Sequence, residues 1–138
     1  MLLRCIAIIG LLGVALGAMG AHWVANIVTE REFKTYQTAV WYHQLYSVVM
    51  LCLELLRLYS ARNVYIHRYI VICFLVATII FSGSLYAYLI TGNRWFVHIT
   101  PIGGIGLMMG WAWIGWQTWS YYYIPPKKGS RESSTLKM

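Results

Sequence analysis

Charge is what this sequence has least of. Only 11% of its 138 residues are charged, and four are acidic. A soluble domain carries about a quarter charged residues, so a water-facing surface of ordinary polarity is excluded for most of the chain. Cysteine is also scarce. Cys5, Cys52 and Cys73 are an odd number with no CxxC pair, which speaks against a disulfide framework and a zinc site. Each falls inside an apolar block, where a buried thiol is expected to act as a small filler. No nucleophile motif, HExxH metal pair or phosphate-binding glycine loop occurs. The sequence thus points to no enzyme, no metal and no cofactor.

What is present is long apolar runs. Hydrophobic residues make up 59% of the chain and aromatic residues 16%, and the mean hydropathy is +0.59. Four blocks, near residues 2–21, 36–59, 69–91 and 101–122, can each cross a hydrocarbon core of about 30 Å at roughly 1.5 Å per residue. The predicted fold is an all-α membrane protein, a bundle of four transmembrane helices in one domain over 1–124. A polar, disordered tail is expected over 125–138. The net charge of +7 comes from basic residues at block ends, where membrane topology and anionic headgroups account for them. Nucleic acid is therefore not an expected partner. The lipid bilayer is, together with a second copy or another membrane protein.

Four spans place both termini and the 60–68 turn on one side. Arg4, Arg57, Arg62, Arg68, Lys127, Lys128, Arg131 and Lys137 lie there; Arg31, Lys34 and Arg94 lie opposite. The positive-inside rule then predicts cytoplasmic termini and a multi-pass protein of the inner (plasma) membrane. The first block could also be read as a signal peptide, with Ala18, Gly20 and Ala21 as a cleavage site. Its glycines favour a retained helix. Gly10, Gly13, Gly17 and Gly20 share one face at helical spacing, and such a stripe lets another backbone approach closely. Gly103, Gly106 and Gly110 repeat the spacing in the fourth block.

The second block is the least apolar. Tyr36, His43, Ser47, Glu54 and Arg57 lie along one side of a helix, which should face the bundle because ionisable groups are costly in lipid. Glu54 and Arg57, three apart, are expected to pair. His22 to Thr35 reads as a polar connection. In the third block Thr78 and Ser82 are expected to bond back to their own helix, and Gly92 fits the position just past its end. Thr100 and Pro101 read as N-cap and first residue of the fourth helix. That helix ends in an aromatic belt, Trp111, Trp113, Trp116, Trp119 and Tyr121 to Tyr123.

Several motifs taken together resemble a known family. They are Gly17-Ala18-Met19-Gly20-Ala21-His22, Tyr42-His43, Phe81-Ser82-Gly83-Ser84-Leu85-Tyr86, and Thr100-Pro101-Ile102-Gly103-Gly104 with Gly110-Trp111. In order and spacing, over about Leu3 to Trp116, the chain resembles domain of unknown function 423, a family of small four-helix membrane proteins. The resemblance implies a multi-pass inner-membrane protein with an uncleaved first helix, and no activity. The family commonly places a second histidine three residues after the position of His43; here Tyr46 stands there.

The predicted topology brings all four motif stretches into the outward-facing half of the bundle. Three function classes follow. The first is a structural or interaction module packed through Gly13, Gly17, Gly20, Ser82, Gly83, Gly103, Gly106 and Gly110. The second is a binder or transporter of a small or lipidic molecule, with a pocket of His22, His43, Ser84, Tyr86 and His98. The third, a haem, quinone or enzymatic protein, has only His22 and His43 to offer as paired ligands.

Overall fold

The computed structural model describes residues 1–59 and 68–123, and everything described is helix or short link. Four helices are long and apolar enough to cross a membrane. Residues 60–67 of the predicted 60–68 turn, the tail over 125–138 and the side chains of Tyr121 to Tyr123 lie outside the described residues, and Arg68 already belongs to the third helix.

The first span, α1, covers Leu2–Ile27. It is α-helical over Leu2–Met19, widens into a π turn at Gly20–Val24 and closes with Ala25–Ile27. It runs past the expected end near residue 21 because Gly20 keeps right-handed helical angles, φ −57° and ψ −48°. The break comes at Val28, which is extended at φ −115° and ψ 161°.

The second span, α2, covers Glu30–Tyr59, so the expected polar connection shrinks to Val28 and Thr29. Thr29 and Glu32 form a reciprocal cap. The Thr29 N–H and hydroxyl donate to the Glu32 carboxylate at 2.9 and 2.7 Å, and the Glu32 N–H turns back to the Thr29 hydroxyl at 3.4 Å. This arrangement satisfies amide groups that a helix start leaves open. Thr-Glu-Arg-Glu carries that signature in the sequence, and its charged residues, read as a loop, concealed it.

The third span, α3, covers Arg68–Thr91. It ends at Gly92, whose φ of +68° favours glycine and whose N–H bonds the Tyr88 carbonyl at 2.8 Å. The fourth, α4, covers Trp95–Tyr123. It begins earlier than the Thr100–Pro101 start read from the sequence. Asn93 caps it instead, its Oδ1 accepting from the Trp95 N–H at 2.9 Å, and Pro101 sits inside the helix. A span accepts such a proline when neighbouring groups take up the freed backbone.

The helices pack in chain order, α1 on α2, α2 on α3 and α3 on α4. All four contribute to one core of Ile6, Tyr46, Met50, Leu53, Ile70, Val71, Phe74, Ala77 and Leu107. The middle pair is the more enclosed: 44% of the apolar window is buried in each of α2 and α3, against 11% in α1 and 17% in α4. The flanking helices thus turn mostly apolar surface outward, to lipid. Cys5 on α1 and Cys52 on α2 are exposed rather than buried as expected, and Cys73 is half-buried. Lipid is as apolar as leucine, so burial alone cannot hold these helices together. Close packing and interhelical hydrogen bonds must do so.

Candidate functional site

The polar side chains of α2 reach the backbone of α1. His43 Nε2 stands 2.9 Å from the Ile9 carbonyl. A carbonyl only accepts, so Nε2 carries the proton in this bond. Gln44 Nε2 donates to the Gly13 carbonyl at 3.0 Å, and the Tyr36 hydroxyl donates to the Leu16 carbonyl. The three acceptors share a register: each lies four residues before a glycine, namely Gly13, Gly17 and Gly20.

Helix geometry explains this. A side chain leans toward the N-terminus and covers the turn before its own Cα, so a Cβ four residues on would shield the carbonyl. The clearances agree. A Cβ on Gly17 would stand 2.8 Å from Gln44 Nε2, and one on Gly20 would stand 2.5 Å from Tyr36 Cε1. One on Gly13 would meet Gln44 Cγ at 3.3 Å and His43 Cδ2 at 3.4 Å. The glycine stripe therefore opens carbonyls as well as admitting a neighbour.

A similar arrangement joins α3 to α4. Cys73 Sγ donates to the Gly106 carbonyl at 3.6 Å, four residues before Gly110. A Cβ on Gly103 would stand 2.5 Å from the Phe81 backbone nitrogen, on Gly106 2.9 Å from Ala77 Cβ, and on Gly110 2.7 Å from the Phe74 ring. The Ser84 and Thr100 hydroxyls bond across the same pair of helices at 2.8 Å, and Ser84 also reaches the Phe81 carbonyl at 2.9 Å. Two readings are corrected here. Gly83, expected to pack, has open space where its Cβ would be. Thr78 and Ser82 are buried, but among the described residues neither hydroxyl has the expected backbone bond or another partner.

The five candidate ligand-binding residues do not share one pocket. His43 and Tyr86 come together, with the Tyr86 hydroxyl 3.5 Å from His43 Nδ1 and the Tyr86 ring edge-on to Tyr36 at 5.8 Å. Ser84 is engaged with Thr100. His22 is exposed in the π turn, and His98 is exposed on α4. Glu54, buried in the bundle, holds Arg57 through two contacts of 2.7 and 2.8 Å. Tyr46 sits in the core, stacked on Phe74 at 5.4 Å, and its hydroxyl accepts from Trp111 Nε1 at 3.1 Å.

The sequence had not singled out Gln44. A lone glutamine in a span belongs to no motif, and only its position one residue beyond His43 on the glycine-facing side signals its role. A cleft of about 320 Å³ opens beside these contacts, lined by Gly17, Gly20, Tyr36, Val40, Trp41 and Gln44, among others. Among the described residues no group of three His, Cys, Asp or Glu side chains is placed to hold a metal ion.

Residues 16–104 match the family described as "Protein of unknown function (DUF423)". The chain belongs to DUF423. The matched stretch runs from Leu16 in α1 to Gly104 in α4, and so contains most of the interface: Gly17, Gly20, Tyr36, His43, Gln44, Ser84, Thr100 and Gly103. The chain is similar to the UPF0382 inner membrane protein YgdD of Escherichia coli strain K12, 35% identical over 77% of this chain and 79% of that one. A UPF0382 membrane protein of Haemophilus influenzae is 32% identical, over 79% and 86%. The UPF0382 membrane protein YwdK of Bacillus subtilis is 30% identical, over 78% and 87%. No solved structure matches the chain significantly. With four membrane-length helices and these relatives, this DUF423 chain is a multi-pass protein embedded in the lipid bilayer.

Proposed function

We propose that the chain is a helix-packing interaction module of the membrane, not an enzyme, with both termini on the cytoplasmic side. One observation carries the reading. Four polar side chains that a span could otherwise offer to a ligand are used between helices. His43, Gln44 and Tyr36 are bonded to α1, and Ser84 is bonded to Thr100. The orientation is supported by the eight basic residues on the termini side against three opposite. The flanking helices α1 and α4 offer their outward faces to lipid, to a second copy or to another membrane protein.

The binding alternative is supported by the cleft beside Tyr36 and Gln44. Replacing Tyr36 and His43 by Phe and Gln44 by Leu together separates the two readings. A bond between spans contributes about 0.6 kcal/mol on average, so the triple variant should lose about 2 kcal/mol in reversible detergent unfolding. Unchanged stability, with loss of a small molecule that co-purifies with the parent chain, would instead favour the cleft.

A further inference from the structure

The end of the bundle opposite the termini holds a second cleft, of about 350 Å³, lined by Arg31, Glu32, Thr35, Leu85, Tyr88, Arg94, Val97 and His98. Three elements build it: the first turns of α2 and α4 and the last turns of α3. Each capped helix start presents the positive end of its dipole here. Among the described residues the Lys and Arg side chains at this end are Arg31, Lys34 and Arg94, and two of the three line this one cleft. Lys34 is paired with Glu30 at 2.7 Å. Among the described residues the guanidinium groups of Arg31 and Arg94 make no ion pair. The one carboxylate in the cleft, Glu32, is held by Thr29 in the α2 cap. Leu85, Val97 and the Tyr88 ring supply an apolar wall beside the cations.

Cations at the membrane–water boundary next to an apolar wall match an anionic headgroup joined to an acyl chain. Planar guanidinium groups suit phosphate oxygens in particular. We propose that this cleft binds a phosphate group of net negative charge, one with no cationic group attached to offset it, held by Arg31 and Arg94 with His98 as a further donor. A lipid carrying that phosphate would lay its chain on Leu85 and Val97. The site differs from the interhelical contacts described above and involves no residue of the α1–α2 interface.

Native mass spectrometry of the full-length chain in dodecyl maltoside tests this, with phosphatidylglycerol and phosphatidylcholine as probes. Phosphatidylglycerol should be retained at least tenfold more tightly than phosphatidylcholine. The double variant Arg31→Gln/Arg94→Gln should lose at least tenfold in phosphatidylglycerol affinity, and Lys34→Gln should lose none. Both arginines are exposed, so helix content by circular dichroism should be unchanged. Millimolar inorganic phosphate distinguishes the sources. Displacement of the lipid marks a site for phosphate itself, including soluble phosphates; retention marks a lipid site. The proposal is overturned if the double variant binds phosphatidylglycerol as the parent does, if the parent holds both lipids alike, or if Lys34→Gln costs as much as the double change.

Discussion

At the scale of single residues, the contrast between glycines is the clearest result. Gly103 lies so close to α3 that an added methyl would meet the Phe81 backbone, which cannot rotate aside. Gly83 has open space at the same point. Overpacking in a tight interface costs about 1–3 kcal/mol, so Gly103→Ala should destabilise the bundle by that order. Gly83→Ala should be neutral or slightly stabilising, because alanine is the better helix former. Thermal unfolding in detergent compares the two; equal effects would remove the close-approach explanation. Spacing alone could not make this distinction. Both glycines sit in small-residue motifs, and which of them faces a neighbour depends on helix rotation, which the sequence leaves open. Gln44 was missed for the complementary reason. Its importance comes from the glycine opposite it on another helix, not from its own neighbours in the chain.

At the scale of helices, the spans themselves were legible because their apolar runs match the bilayer thickness. Their ends were read less well. Gly92 was recognisable, since a glycine with positive φ is a common helix stop. The α2 start was hidden because Glu30, Arg31, Glu32 and Lys34 looked like a polar loop, although Thr29 and Glu32 have the spacing of a cap. The α4 start was misplaced because Pro101 fits a first helical position, while Asn93 provides the actual cap. The Thr29 cap leads to a prediction. Thr29→Ala should lose about 1 kcal/mol and speed amide hydrogen exchange in the first turn of α2. Thr29→Ser, which keeps a hydroxyl able both to donate to Glu32 and to accept from its N–H, should retain most of the protection. If the alanine variant exchanges like the parent, the cap does not fix where α2 begins.

At the scale of the whole molecule, the packing is serial. The enclosed α2 and α3 carry the polar contacts, and the flanking α1 and α4 carry most of the outward apolar surface. Reporter fusions at the C-terminus and in the Gly92–Arg94 link should place them on opposite faces of the membrane, with the C-terminus cytoplasmic. The reverse result would overturn the proposed orientation. A shared half of the membrane for the motifs was foreseen from topology, and His43 with Tyr86 and Ser84 with Thr100 do meet. The single five-residue pocket does not form, because His22 and His98 project from the bundle surface.

A glycine in α1 opens the carbonyl four residues before it to a side chain of α2. A double-mutant cycle of Gly17→Ala and Gln44→Leu tests it by reversible unfolding in detergent. Alone, Gln44→Leu should cost about 0.6 kcal/mol, the typical worth of a bond between spans. In the Gly17→Ala background, where a methyl displaces the glutamine amide from the Gly13 carbonyl, it should cost almost nothing. Costs that simply add, within about 0.3 kcal/mol, would contradict the claim.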